Sequence, residues 1–188
     1  RMDGINKLLA PLDGVPVLVR TLTSLQLATR VDEIVIAARG EDLLEISELC
    51  HTYDITKCSK VVRGGESRVH SVLLAALEVA PETELLAVQD GARPLVLPEL
   101  IDQVILTAAR CGAAAPAVPV KDTVKLVKDG GAVEQTLDRV QLRAVQTPQV
   151  FDAELLRAAL KDALESGVPI TDDCSAIERL GKVVFLVE

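Results

Sequence analysis

A chain of 188 residues, 49% of them apolar, has room for one compact domain around a single substantial core. Its apolar residues fall in many short segments, none approaching the roughly 18 to 20 in a row that a bilayer-spanning helix needs, which excludes a transmembrane helix. A net charge of -8, with 2% aromatics and no Trp, argues against a polyanionic partner and against base stacking, so no nucleic acid is expected and the core falls to Leu, Val, Ile and Ala.

Pro16 to Ala28 predicts a first helix, with Pro in its first turn. Glu33 to Ala38 is short, apolar and closed by Arg39-Gly40, the pattern of a buried strand ending at a turn. A second helix is expected over Glu41 to Cys50, followed by strands at Lys60 to Arg63 and Leu85 to Gln89. Leu97, Leu100, Ile101, Val104, Ile105 and Ala108 share one face of a helix, and Ala113 to Val118 reads as the next strand. Thr123 to Lys128 alternates polar and apolar residues, turns at Asp129-Gly130-Gly131 and returns over Ala132 to Leu137, which predicts a hairpin arm. Asp152 is placed to cap a helix with its stripe on Leu155, Leu156, Ala159, Leu160, Ala163 and Leu164; a short helix over Ala176 to Leu180 and a strand over Val183 to Val187 close the chain.

Strands buried on both faces and alternating with helices predict an α/β fold, a mainly parallel sheet covered by helices on each side. In such sheets ligands lie beyond the carboxyl ends of the strands, which directs attention to the loops after Val62, Val88 and Val118. A two-stranded ribbon is marginal alone, so the arm at 121–139 is expected to find its contacts on a second subunit, giving a homodimer. No internal boundary divides residues 1–188. Cys50, Cys58, Cys111 and Cys174 form no Cys-x-x-Cys pair and no cluster with His51 or His70, which fits a reducing compartment. No targeting segment is visible, so a cytoplasmic location is expected, or the plastid stroma for a plant protein. The opening Arg1-Met2-Asp3-Gly4, without a first strand, predicts a portion of a longer protein.

Five loops could carry chemistry. Arg1 and Lys7 could clamp a triphosphate, the plainer alternative being a solvated terminus. Arg63-Gly64-Gly65-Glu66-Ser67-Arg68 could bring its backbone against a flat ligand, or simply cap a helix. Asp90-Gly91-Ala92-Arg93-Pro94 follows a strand end, where a carboxylate can hold a metal or hydroxyl and Arg93 an anion; a structural ion pair is the alternative. Lys121-Asp122-Thr123 and Asp138-Arg139 at the arm's base, with Gln146-Thr147-Pro148-Gln149, could close around a phosphate monoester, or be turn caps and ordinary surface. The acidic residues of Thr171-Asp172-Asp173-Cys174-Ser175 are accounted for by a helix dipole, with Asp172 also able to face the site. Cys174 and His70 read as packing residues.

Taken together and in this order, Arg1-Met2 with Lys7, Gly64-Gly65-Glu66-Ser67-Arg68 with Ser71, Asp90-Gly91-Ala92-Arg93-Pro94, Val120-Lys121-Asp122-Thr123, Asp138-Arg139 and Gln146-Thr147-Pro148-Gln149 resemble the 2-C-methyl-D-erythritol 4-phosphate cytidylyltransferase family over nearly the whole chain. The resemblance implies a Rossmann-like, nucleotide-diphospho-sugar transferase-like fold whose arm interlocks two subunits. It implies CMP transfer from CTP to methylerythritol phosphate, with Mg2+ or another divalent cation, in the non-mevalonate route to isoprenoids. On the same basis Arg1 and Lys7 are the catalytic cations on the CTP phosphates. Gly64, Gly65, Glu66, Ser71 and Asp90 surround the nucleotide. Asp90, Arg93 and Thr147, with Thr123 and Arg139 of the other subunit, hold the acceptor. The metal ligands stay unassigned, with Asp90 the candidate carboxylate.

The chemistry suits these residue types, because the acceptor's own phosphate is an anionic nucleophile that needs cations and alignment and not an enzyme base. The family's Ala-Ala-Gly-x-Gly loop and first strand belong ahead of Arg1, and an Asn-Ile-Lys-like segment belongs after Glu188. Gln89 stands where the family often has His. A ribitol 5-phosphate cytidylyltransferase, or a catalytically silent nucleotide-binding dimer, are the alternatives.

Overall fold

Wherever a short apolar segment is closed by Gly, Pro or charge the chain extends, and wherever apolar residues recur at three and four it coils. The computed structural model describes residues 6–188, so the expectations for Arg1 fall outside the described residues. The small strands β1 (Pro11–Leu12) and β2 (Val15–Pro16) lead into α1 (Val17–Leu27), followed by β3 (Ile34–Ala38), α2 (Leu43–Thr52), β4 (Cys58–Arg63), α3 (Arg68–Glu78), β5 (Leu85–Val88), α4 (Pro98–Cys111) and β6 (Ala113–Pro119). The arm strands β7 (Lys125–Val127) and β8 (Val133–Thr136) come next, then β9 (Arg143–Val145), β10 (Gln149–Asp152), α5 (Ala153–Ser166), α6 (Asp173–Arg179) and β11 (Phe185–Val187). Local chemistry sets the helix ends. Ser67 Oγ accepts the His70 amide at the start of α3, Asp152 accepts that of Leu155 at the start of α5, and Gly112, at φ 83°, closes α4.

The strands β5, β6 and β11 run in one direction, and β10 lies antiparallel between β5 and β6, with Gln149 opposite Val88 and Phe151 opposite both Leu86 and Ala113. The sequence reading did not contain this central strand. Gln146 to Gln149 reads as a loop in sequence, and four residues beginning with Gln after Pro148 give too short an apolar signal. Helix α6 starts at Asp173, three residues before the expected Ala176, because Asp172 and Ser175 form a reciprocal capping box. The expected arm is present, joined at Asp129-Gly130-Gly131, and every residue of β7 and β8 is exposed.

Three buried clusters result among the described residues. Phe151, Leu156, Leu160 and Ile177 pack under α3, α5 and α6, Leu18, Leu22, Leu25, Ile34 and Ile46 pack under α1 and α2, and Val104, Ala108, Ala114, Val150 and Val187 join α4 to the sheet. The all-buried Ala113-Ala114-Ala115 of β6 lets helices approach from both faces. Strands β3 and β4 form their own parallel pair. Between β3 and β5 runs a cavity of about 1100 Å³, walled by Ile34 to Ala38 on one side and Leu85 to Gln89 on the other. At the carboxyl ends of these strands its lining changes from apolar residues to Arg39, Asp42, Gly64, Gly65, Arg68, Ser71, Gln89 and Asp90.

Candidate active site

The first half of the site is the loop between β4 and α3. The Gly64 amide donates to the Ala38 carbonyl at 2.8 Å, and the Gly65 amide to Ser71 Oγ at 3.1 Å. Ser71 in turn donates to the Ser67 carbonyl at 2.8 Å. The two glycines are required by crowding: a Cβ on Gly64 would stand 2.8 Å from Ser71 Oγ, and one on Gly65 would run into His70 Cγ. Ser71 thus braces the loop, while Glu66 points to solvent at the mouth.

The second half follows β5. Thr21 Oγ1 donates to the Gly91 carbonyl at 2.9 Å and so fixes the Asp90 turn to α1. The Asp90 amide donates to Thr147 Oγ1 at 3.2 Å, a contact made possible by the register that sets Gln149 beside Val88. Arg93 Nε donates to Asp90 Oδ2 at 3.1 Å, and Arg68 Nη2 lies 3.6 Å from Asp90 Oδ1. Gln89 Nε2 donates to the Asp90 carbonyl at 3.1 Å, whereas its buried Oε1 has no partner among the described residues.

Lys7 is exposed in the turn before β1. It is brought toward the site from both sides: Asn6 Nδ2 donates to Asp42 Oδ2 at 3.0 Å, and a Cβ on Gly91 would lie 3.3 Å from the Leu8 side chain. The structure therefore gathers Lys7, Gly64, Gly65, Ser71, Asp90, Arg93 and Thr147 around the carboxyl ends of β3, β4 and β5. Thr123 and Arg139 are elsewhere. Both are exposed at the arm's base, where Arg139 Nη1 donates to the Lys121 carbonyl at 2.7 Å, and no hydrogen bond among the described residues joins either to Asp90, Arg93 or Thr147.

Two residues named in the candidate loops, Arg68 and Asp173, form a pair that the sequence does not reveal. Arg68 donates through both Nη atoms to Asp173, at 3.0 and 2.7 Å, and Asp173 is fully buried. Helix-dipole complementarity accounts for Asp172, the cap, and not for Asp173, whose reason is the ion pair. Burial pushes the Asp173 carboxyl above the usual carboxylate range, an effect that the bonds from Arg68 reduce. Burial acts to lower Arg68, but the bonds and charges of Asp173 and Asp90 outweigh it and leave its pKa raised. The only sequence signal was an acidic residue directly followed by the apolar Cys174, Ala176 and Ile177, which face inward.

For a divalent cation, no group of three or more His, Cys, Asp or Glu among the described residues is placed to hold one. Asp90, with 40% of its side chain exposed, can offer one carboxylate oxygen to a cation whose other ligands come from a bound triphosphate. That donor set fits Mg2+.

The profile of the family described as "IspD: 2-C-methyl-D-erythritol 4-phosphate cytidylyltransferase" matches residues 1–188. Proteins of that name from Desulforamulus reducens and Bacillus cytotoxicus are 43% and 42% identical over 185 residues, covering 98% of this chain and 79% and 81% of theirs. The crystal structure of 4-diphosphocytidyl-2C-methyl-D-erythritol synthase from Anaerococcus prevotii superposes with a TM-score of 0.88 at 30% identity, over 94% of this chain and 78% of that one. With its glycine loop, Asp-Arg turn and arm in the family's order and the family profile spanning its full length, the chain belongs to the 2-C-methyl-D-erythritol 4-phosphate cytidylyltransferases.

Proposed function

We propose that this protein transfers CMP from CTP to 2-C-methyl-D-erythritol 4-phosphate, releasing pyrophosphate and forming 4-diphosphocytidyl-2-C-methyl-D-erythritol in the non-mevalonate route to isoprenoids. The observation that carries the proposal is the meeting of two half-sites at one cavity mouth. The backbone loop Gly64-Gly65 stands on one side, and Asp90 with Arg93 and Thr147 on the other.

The acceptor phosphate supplies the nucleophile. One of its oxygens forms a bond to the α-phosphorus of CTP as the bond to the β-phosphate oxygen breaks, and pyrophosphate carries the electron pair away. This chain's residues then have three tasks. Lys7 and Arg1 offset the charge building on the α-phosphoryl oxygens. Gly64, Gly65, Glu66 and Ser71 shape the nucleoside end. Asp90 takes hydroxyls of the polyol, while Arg93 and Thr147 orient the acceptor for in-line approach. Asp90 would help a bound triphosphate hold Mg2+, which would add charge neutralisation for the leaving group.

Thr123 and Arg139 lie on an exposed arm with no bond to these groups in the same chain, which supports a homodimer whose arms complete one another's acceptor sites. A cytoplasmic location follows from the same reading. The test offers CTP and Mg2+ with methylerythritol phosphate or ribitol 5-phosphate and measures pyrophosphate release. Faster turnover of methylerythritol phosphate is expected. Preference for ribitol phosphate would reassign the acceptor, and CTP binding without turnover of either would leave a silent nucleotide-binding protein.

A further inference from the structure

Asp173 sits in the first turn of α6 with none of its surface exposed, a costly place for a carboxylate unless it is paired and hydrogen bonded. Its partner is the fork of Arg68, bonded at both tips. A pair serving stability alone would end there. Instead Arg68 Nη2, the same nitrogen that lies 2.7 Å from Asp173, is 3.6 Å from Asp90 Oδ1 at the cavity mouth. Arg93 occupies the other Asp90 oxygen, so the carboxylate is held between two guanidinium groups, one of them anchored in the interior.

A second route joins the same helix turn to the same loop. Gln149 accepts the Cys174 amide at 3.0 Å and donates to Asp172 Oδ2 at 2.9 Å. Two residues earlier, Thr147 accepts the Asp90 amide. The start of α6 therefore fixes both the backbone and the carboxylate of Asp90.

We infer that Arg68, immobilised by Asp173, is a positioning residue that fixes the Asp90 carboxylate for the hydroxyls of the acceptor polyol. The inference rests on the function proposed above. Lys cannot replace Arg here, because one ammonium cannot bond both Asp173 oxygens and still face Asp90.

The test is steady-state kinetics of the full-length protein with CTP and methylerythritol phosphate for Arg68→Lys, Asp173→Asn, Asp90→Asn and the double variant Arg68→Lys with Asp90→Asn. Arg68→Lys and Asp173→Asn should each raise KM for methylerythritol phosphate about tenfold and KM for CTP, which Asp90 meets only through a cation, by clearly less. In the Asp90→Asn background, Arg68→Lys should add less than about twofold, since both changes remove one arrangement. Should Asp173→Asn fail to fold, Arg68→Lys, which keeps the charge pair, still decides. Equal shifts in both KM values, or full additivity with Asp90→Asn, would show a merely structural pair and overturn the inference alone. A wild-type protein that turns over neither substrate would overturn the proposed function and this inference with it.

Discussion

At the scale of single residues, crowding and charge make separable predictions. Gly65 is required because a side chain there would run into Cβ and Cγ of His70, atoms too near the backbone to swing aside. Gly65→Ala should displace the loop, raising KM for CTP about tenfold and costing about 1 to 3 kcal/mol of stability. Adding His70→Ala, which removes Cγ and Nδ1 but keeps Cβ, should recover part of each loss, as followed by kinetics and thermal melts; no recovery would place the cause elsewhere. Lys7 is exposed. Lys7→Ala should slow turnover by about 10² or more with an unchanged melting temperature, and an unchanged rate would remove Lys7 from the mechanism. Gly65 was legible as a turn glycine from its own neighbours, whereas Lys7 alone reads as a solvated terminus and gains a role only through the family resemblance. Asp173 was not legible, because its role depends on Arg68, 105 positions away.

At the scale of elements, α4 is tied to the loop after α1 by Asp102, which accepts the Thr29 hydroxyl at 2.7 Å and the amides of Thr29 and Arg30 at 3.0 and 2.9 Å. Burial pushes this carboxyl up, but the Thr29 and Arg30 bonds and the Arg30 charge outweigh it and hold its pKa below the usual value. A depressed carboxylate stabilises the fold above its unfolded pKa and loses that contribution as pH falls through the folded one. Asp102→Ala should therefore cost about 1 kcal/mol at pH 7, with the gap to wild type closing below about pH 4 in melts across the range. A gap independent of pH would contradict the assignment. The helices and edge strands were readable from periodicity and capping residues such as Asp152. Strand β10 was not, since its pairing with β5 and β6 is decided by tertiary register and leaves little trace in Gln149-Val150-Phe151-Asp152.

At the scale of the whole molecule, the arm leaves Leu126, Val127 and Val133 exposed among the described residues. We propose that a second copy covers it. Leu126→Asp with Val133→Asp should yield a monomer in sedimentation and sharply weaken use of the acceptor, and an undisturbed dimer would refute the arm's role. Among the described residues, the cavity between β3 and β5 is walled by two unpaired strand edges. The α/β class was legible from alternation of elements.

The central claim is that the acceptor's phosphate attacks CTP directly, with protein side chains aligning and neutralising and none becoming bonded to phosphorus. The most direct test is the stereochemical course at the α-phosphorus, using a single diastereomer of CTP bearing sulfur on that phosphorus. The account predicts inversion, from one in-line displacement. Retention would require two successive displacements through a covalent nucleotidyl-enzyme and would contradict it.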